Sequence, residues 1–177
     1  MHYTIRHLRD SEHDLLDDFL YEAIFVPEGV EAPPRSIIEH PQLRVYTEDF
    51  GHEDDHCLVA EVDGGVVGAV WVRIMDDFGH VAPDVPSLSI ALYEQYRGRG
   101  IGTALLEAML GLLRVKGYEK VSLSVQKQNA AHRLYSRCGF RPVRETAEEY
   151  VMVCELRPAA GASGSASRPR PGPPGRR

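Results

Sequence analysis

Residues 96–102 (YRGRGIG) form the stretch of this sequence best suited to binding a charged ligand. Gly98, Gly100 and Gly102 alternate with other residues, two of them arginines, although glycine loses more conformational entropy on folding than any other residue. The long apolar-periodic stretch that follows predicts a helix, so the glycines precede its first turn. The free N–H groups of that turn and the positive end of the helix dipole suit a phosphate. A turn that serves chain geometry alone is the alternative interpretation.

Two common phosphate-binding motifs do not fit this segment. GRGIGT lacks both the spacing and the Lys-Ser/Thr pair of a P-loop. The dinucleotide fingerprint requires another glycine spacing and an acidic strand end about twenty residues later. Here Glu119 precedes the next predicted strand instead. A small kinase or a dinucleotide-dependent enzyme is therefore disfavoured.

Histidine and cysteine do not cluster in a way that predicts a metal site. His52 and His56 have helical spacing in GHEDDH, but the three acids between them favour a solvated loop. Cys57, Cys138 and Cys154 are widely spaced and form no C-x-x-C pair. This usage argues against zinc and against a disulfide framework, and it favours a reducing cytoplasm.

The elements that must position the glycines can be predicted from the periodicity of apolar residues. A strand over residues 3–8 precedes an amphipathic helix that Asp10 or Ser11 can cap. Residues 36–51 are ambiguous, with a short helix and a loop as the best fit. Two β-rich runs flank Asp63-Gly64-Gly65, a sequence typical of a hairpin turn.

The second half of the chain alternates strands with helices. SLSIAL predicts a strand directly before the glycines, and the helix after them ends at Lys116-Gly117. The strand KVSLSV then precedes a short helix with Asn129 as its cap and Gly139 as its stop. A final strand pair closes the domain, which gives the order β-α-(α)-β-β-β-α-β-α-β-β. Hairpins mixed with crossover helices predict an α/β (α+β) fold with a mixed sheet.

Two motifs in this order resemble the GNAT superfamily of N-acetyltransferases. Arg97, Gly100 and Gly102 fill the pattern R-x-x-G-x-G, which resembles the coenzyme A pyrophosphate loop of that family. NAAHRLYSRCGF resembles the segment N-x-x-A-x-x-x-Y-x-x-x-G-F, with a loose match at the alanine. The element order agrees over residues 4–156, and residues 87–140 carry the specific part of the resemblance.

The resemblance implies transfer of an acetyl or other short acyl group from acyl-coenzyme A to a primary amine of a small molecule or peptide. Acetyl-CoA would lie in a V-shaped split of a mixed, mostly antiparallel sheet with helices on both faces. Its pantetheine arm would pair with the bulged strand, its pyrophosphate would lie on residues 97–102, and Asn129 would bond the pantetheine chain. Arg133 would reach the nucleotide phosphate, or it is an ordinary exposed arginine. The implied cofactor-binding residues are Ile90, Ala91, Leu92, Arg97, Gly98, Arg99, Gly100, Ile101, Gly102, Thr103, Asn129 and Arg133.

Such a transfer needs a base for the amine and an acid for the leaving thiolate. A free amine with a pKa near ~10 is mostly protonated at neutral pH, so some group must take its proton. Many family members hold a glutamate near the start of the bulged strand, where this chain has Pro86 and Ser87. Asp84 is the nearest carboxylate and is the predicted base, while Tyr135 is the predicted acid. The alternative bases are a relayed water and Glu22, Asp76, Asp77 or His80.

Acceptor selection in this family lies in the segments that differ most between members, here residues 25–34 and 76–86. The predicted acceptor-side residues are Glu22, Phe25, Glu28, Asp76 and Asp77. The negative charge of the four acids in this set would attract a polyamine, an aminoglycoside-like drug, a peptide N-terminus or a lysine. The alternative is that they are ordinary surface acids. Phe25 and Phe78 would give the cleft apolar walls, whereas Trp71, a third candidate, lies on a predicted strand and is expected in the core.

Charge and composition bound the remaining possibilities. The formal net charge is −6, and residues 158–177 hold four arginines and no acid, so the rest of the chain is more acidic still. This negative charge argues against nucleic acid as a partner, since nucleic acid favours a basic surface. No apolar run is long enough to span a membrane. Residues 1–157 predict one acetyltransferase domain and residues 158–177 a disordered Pro/Gly/Ser/Arg tail. A monomer and a homodimer both stay open. A non-catalytic acyl-coenzyme A sensor is the alternative function, motivated by the missing strand carboxylate.

Overall fold

A seven-stranded mixed sheet with the strand order β1-β2-β3-β4-β5-β7-β6 forms the centre of the computed structural model, which describes residues 2–156. Neighbouring strands are antiparallel except β4 and β5, which are parallel. The predicted mixed, mostly antiparallel sheet is confirmed. The strands are β1 Thr4–His7, β2 His56–Val62, β3 Gly65–Arg73, β4 Ser87–Leu92, β5 Lys120–Gln126, β6 Arg141–Glu145 and β7 Glu149–Glu155.

Four α-helices flank this sheet. They are α1 Leu15–Ala23, α2 Pro41–Arg44, α3 Ile101–Lys116 and α4 Ala131–Arg137. The predicted cap of α1 is wrong, because Asp10 and Ser11 lie in a separate 3-10 turn and the helix begins after Asp14. That turn forms because the Glu12 carboxylate accepts the Arg9 N–H and two hydrogen bonds from the Arg6 guanidinium.

The predicted hairpin and helix stops are present. Asp63 and Gly64 have φ values of 50° and 82°, the left-handed pair that a two-residue type I′ turn requires. Gly117, with φ 87°, ends α3, and Gly139, with φ 97°, follows α4. These turns fix the register of β2 with β3 and the return of the chain to the sheet.

Each face of the sheet carries its own apolar core. Leu88 and Ile90 of β4 pack with the buried face of α3, as do Leu123 and Val125 of β5. The opposite face packs against α1, with the fully buried Trp71 at its centre, as expected for that residue. Alternation along each strand therefore turns the serines of β4 and β5 toward the α1 face.

The two halves of the sheet meet at a single point. Among the described residues, β4 pairs with β5 only at Ser87 and Ser122, and the strands then diverge. β4 remains paired with β3 along its whole length, from Ser87 opposite Arg73 to Leu92 opposite Gly68. The V-shaped split expected from the resemblance is therefore present.

A buried ion pair holds the segment before β2 against the sheet. The Arg73 guanidinium donates two hydrogen bonds to the Asp55 carboxylate, at 3.0 and 3.1 Å, and the side chains are only 8% and 4% exposed. A further nitrogen of Arg73 donates to the carbonyls of Val45 and Glu48. One arginine thus binds three groups of the segment between α2 and β2, namely the Asp55 carboxylate and the carbonyls of Val45 and Glu48.

The outer edge of the sheet at β6 is exposed along all five residues. Its pairing with β7 shifts register between Pro142 and Arg144, and Pro142 offers no N–H. In residues 2–156, no helix is both long and apolar enough to cross a membrane. The predicted tail over 158–177 lies outside the described residues.

Removing the charge of Asp55 should destabilise the fold. Asp55→Asn leaves Arg73 buried without a counter-ion, and breaking such a pair costs about 3–5 kcal/mol of the free energy of unfolding. Glu48→Gln is the matched control, since it removes an exposed pair with Arg44 at 3.5 Å and should cost less than about 0.5 kcal/mol. Urea unfolding measures both. A loss below 1 kcal/mol for Asp55→Asn would contradict the assigned role.

Candidate active site

The diverging strands open onto a cleft of about 720 Å³. Its walls come from the end of β4, the end of α1 with the loop after it, the turn before α3, and the start of α4. The lining residues are Tyr21, Glu22, Ala23, Ile24, Phe25, Val26, Ala32, Pro33, Ile90, Ala91, Leu92, Glu94, Arg97, Gly102, Gln128, Asn129, Ala130, Ala131, Leu134 and Tyr135. Of the predicted site residues, this cleft brings together Ile90, Ala91, Leu92, Arg97, Gly102, Asn129, Tyr135, Glu22 and Phe25.

The strand edge inside the split can bind an extended ligand. Residues 88–92 use one edge of β4 for the ladder with β3, and their other edge has no strand partner among the described residues. Backbone N–H and C=O groups that leave a ladder need water or a ligand as partners. A chain with amide groups, laid along this edge, would satisfy them.

The glycine turn is shaped by two different requirements. Gly98 and Gly100 have φ values of 69° and 83°, in the left-handed region that favours glycine. A Cβ built on either would meet nothing within 4 Å, so the space beside the backbone is open. Gly102 instead packs closely, because its Cβ would lie 3.3 Å from Leu92 Cδ1.

The start of α3 is ready to bind an anion. Gly100 precedes the helix and supplies no side-chain cap, so the N–H groups of the first turn have no intrahelical acceptor. These groups carry the positive end of the helix dipole. Ile101 is buried in the core, and Thr103 is half-buried on the same turn, so both offer their backbone rather than a free side chain.

Arg97 is held by groups of the protein. Its Nε donates to the Leu92 carbonyl at 2.9 Å, and its Nη2 lies 2.9 Å from a carboxylate oxygen of Glu22. The arginine is 51% exposed and the glutamate 29%. Glu22 was expected to attract the acceptor, but its charge is paired with Arg97. Arg99, in the turn before α3, and Arg133, in α4, are both exposed.

Asn129 shapes the other wall of the cleft. Its Oδ1 accepts the backbone N–H of Ala131 at 2.9 Å, in the turn that leads into α4. Gln128 also lines the cleft. Sequence reasoning missed Gln128, because a lone glutamine between a strand and a helix carries no recognisable signal.

Tyr135 presents a protonated hydroxyl to the cleft. The side chain is 9% exposed and its ring packs beside Phe140, with the ring centroids 6.0 Å apart. Its hydroxyl forms no hydrogen bond with any residue in 2–156, although the residue lines the cleft. Burial raises the pKa of Tyr135 to about 12. The phenol is therefore an available proton donor at neutral pH.

The predicted carboxylates have different fates. Asp84 is exposed in the loop before β4 and does not line the cleft, and Glu28 and Asp76 are exposed as well. Asp77 does not line the cleft either, but its side chain reaches the start of β4, where its Oδ1 accepts the Ser87 hydroxyl at 2.6 Å. Its Oδ2 accepts the Tyr46 hydroxyl at 2.9 Å.

Tyr46 and Ser87 are the residues that sequence reasoning missed here. Tyr46 lies in the segment that sequence alone left ambiguous, 31 positions from Asp77. Nothing local to either residue indicates that the two meet. The serine at the first position of a mostly apolar strand is the one local signal that could have been used.

Comparison with known proteins agrees with the fold and with the cleft. The sequence profile described as the acetyltransferase (GNAT) family matches residues 18–140. An N-alpha-acetyltransferase of Sulfurisphaera tokodaii is 36% identical over 158 residues, which cover 84% of this chain and 86% of the relative.

Two solved structures share the fold. The ribosomal-protein-S18-alanine N-acetyltransferase of Escherichia coli superposes with a TM-score of 0.63 at 20% identity, covering 92% of this chain and 98% of the other. The PaiA N-acetyltransferase of Thermoplasma acidophilum, solved in complex with coenzyme A, gives 0.64 at 21% identity, covering 88% and 99%. The chain belongs to the GNAT family of acetyltransferases and transfers an acyl group from acyl-coenzyme A to an amine.

Proposed function

We propose that this enzyme uses acetyl-CoA to acetylate the N-terminal α-amine of a peptide or protein. The observation that carries the acceptor is the 36% identity, over 84% of the chain, to an archaeal protein named as an N-alpha-acetyltransferase. The Escherichia coli structure of similar fold is named for an alanine of ribosomal protein S18, so its printed acceptor is also a protein. An α-amine also suits the chemistry, since its ordinary pKa of about 7.7–8.0 leaves part of it neutral at physiological pH.

The residues present fit acetyl-CoA. The free edge at Ile90, Ala91 and Leu92 matches the amide groups of a pantetheine arm. The turn at residues 97–103 and the open first turn of α3 match a pyrophosphate, with Gly98 and Gly100 leaving its approach clear. Asn129 lies on the facing wall, and Arg133 lies one turn further along α4.

The bound thioester supplies an activated acyl group, and the enzyme supplies position and protons. Tyr135 donates the proton that the departing sulfur needs, since its buried phenol carries that proton at neutral pH. Arg97 joins the turn before α3 to the end of α1, so the cofactor side and the acceptor side share one wall.

The acceptor side of the cleft favours a peptide over a small polycation. Phe25, Val26 and Pro33 give its wall an apolar surface, and the Tyr21 hydroxyl fixes that loop by donating to the Pro33 carbonyl at 2.7 Å. Glu22 is neutralised by Arg97, which removes one of the charges that would hold a polyamine. We also place the reaction in the cytoplasm, since Cys57, Cys138 and Cys154 are all free thiols.

A panel of acceptors tests the proposed substrate class. Peptides with a free N-terminus should be acetylated at least about tenfold faster, by kcat/KM, than the same peptides with a blocked N-terminus and an internal lysine. Spermidine and an aminoglycoside serve as small-amine arms. Mass spectrometry locates the acetyl group. A higher kcat/KM for any of the competing amines would contradict the peptide proposal.

Tyr135→Phe should keep the fold and most of the affinity for coenzyme A but lower kcat. General acid catalysis is worth about 10²–10⁴ in rate, so a loss of at least tenfold is expected at saturating peptide. Because the pKa of Tyr135 is about 12, the wild-type kcat should not fall between pH 8 and pH 10 through loss of this proton. Stopped assays between pH 8 and pH 10 measure kcat for both proteins. A kcat of Tyr135→Phe within twofold of wild type would remove Tyr135 from the mechanism.

Gly100→Ala should weaken coenzyme A binding through its place beside the phosphate site. Gly117→Ala is the matched control, because Gly117 also has a left-handed φ and open space, at the opposite end of the same helix. Both changes should cost a similar ~1–2 kcal/mol of stability from backbone strain. Calorimetry should show a loss of affinity of at least about tenfold for Gly100→Ala alone, because a Cβ beside the anion displaces it. Equal affinities in the two variants would refute the assignment.

A further inference from the structure

We infer that Asp77, held by Tyr46 and Ser87 at the narrow end of the split, pairs with the ammonium of the acceptor and takes its proton. The inference rests on the proposed transfer to an amine and adds the group that receives it. It assigns to a loop residue the work that the start of β4 itself lacks.

Two hydroxyl donors fix the orientation of this carboxylate. Ser87 Oγ lies 2.6 Å from Oδ1 and Tyr46 Oη lies 2.9 Å from Oδ2, so each oxygen has one donor of its own. Tyr46 is itself half-buried, and this burial, with Asp77 nearby, raises the pKa of its phenol, which therefore remains a donor. An oxygen that accepts one such bond still has a lone pair for an incoming N–H.

The loop that carries Asp77 lies tightly on β5. A Cβ on Gly79 would come within 3.1 Å of the backbone of Leu123 and Ser124, so a larger residue would have to push the loop and β5 a few tenths of an ångström apart. The ring of His80 closes the loop through a contact of 3.1 Å between Nδ1 and the Met75 carbonyl. Asp77 is therefore placed by packing as well as by its two hydrogen bonds.

Asp77 and Tyr135 lie on opposite faces of the sheet at the split. Ser87 points away from the α3 side that holds Leu88, and Tyr46 packs with the α1-side core. Tyr135 belongs to the α3-side core. A strand rises about 3.3 Å per residue, so Ser87 is about 10 Å along β4 from Ile90 in the cleft. A base on one face and an acid on the other suit an amine and a thiol that occupy opposite sides of the reacting carbon.

The charge of Asp77 is available to an external cation. In the described part of the chain, no Lys, Arg or His nitrogen forms an ion pair with it, whereas Glu22 is paired with Arg97. The other titratable groups around it are Tyr46 from the segment after α2, Asp76 and His80 from its own loop, and Glu149 of β7, which acts on Tyr46. Two of these are acids, which add to the attraction for an ammonium.

The proposed step balances in protons and electrons. The Asp77 carboxylate removes one proton from the ammonium and becomes a carboxylic acid, which leaves a neutral amine. The nitrogen lone pair forms the N–C bond to the acyl carbon, the second amine proton is lost to solvent, and the C–S bond breaks with its electron pair on sulfur. Tyr135 supplies the proton of the thiol and regains one from solvent, and Asp77 releases its proton to solvent. The net products are the amide, the thiol and one proton.

Asp77→Asn, assayed on the best amine of the wild-type enzyme, tests this role. At pH 7, kcat/KM should fall by at least about thirtyfold, within the range typical of acid–base catalysis. For an acceptor with a pKa near ~8, about a tenth is neutral at pH 7 and nearly all at pH 9, so the deficit should narrow about tenfold over that interval. The affinity for coenzyme A and the Tm should stay near the wild-type values.

Matched variants separate this role from a structural one. Glu53→Gln removes an exposed charge in the loop before β2, outside the cleft, and should stay within about threefold of wild type. Tyr46→Phe keeps the carboxylate and should lose less than Asp77→Asn while retaining the wild-type pH dependence. The inference would be overturned if the loss of kcat/KM in Asp77→Asn were equal at all pH values. It would also be overturned if Tyr46→Phe lost as much kcat/KM, or if only His80→Gln lost any. A wild-type preference for a small amine refutes only the peptide proposal, because the same variants then report on Asp77 with that amine.

Discussion

The divergence of β4 from β5 beyond Ser87 and Ser122 is the constraint on which the site depends. Two parallel strands that stayed paired would close the sheet and leave no path between its faces. Because they part, the backbone groups of residues 88–91 that face away from β3 have no strand partner, which a protein tolerates only where water or a ligand can reach them. The cleft, the glycine turn and the start of α4 are all arranged around that edge.

The split also lets each face of the sheet contribute a different chemical group. Tyr135 comes from the α3 side, where burial keeps its phenol protonated. Asp77 comes from the α1 side, where Tyr46 and Ser87 orient it. A protein with an unbroken sheet would need both groups on one face. In the proposed mechanism the backbone opening separates the two groups, and the reacting atoms would lie between them.

The sequence predicted the parts of this structure that depend on local rules. The glycine turn, the hairpin at Asp63-Gly64 and the strands SLSIAL and KVSLSV follow from turn chemistry and periodicity, and the structure has all of them. The predicted start of α1 was wrong, because the Glu12 carboxylate accepts hydrogen bonds from Arg6, which lies on another element.

The side-chain partners of individual site residues could not be predicted from the sequence, for the same physical reason. Asp84 is nearer in sequence to β4 than Asp77, yet the loop folds so that Asp77 reaches Ser87 and Asp84 faces solvent. Glu22 reads as a free acid until the structure places Arg97 beside it, 75 positions later. Side-chain partners that are distant in the chain are set by tertiary packing, which no local pattern records.

Two of the free strand edges of this sheet, the outer edge at β6 and the inner edge at β4, differ in how they resist pairing with another strand. The outer edge at β6 carries Pro142, a register shift and charged side chains, all of which discourage pairing with a strand of another molecule. The inner edge at β4 has the uncharged sequence SLSIAL and none of these devices. Its protection comes from whatever occupies the split. Acyl-coenzyme A bound along this edge would therefore cover its backbone groups as well as supply the acyl group.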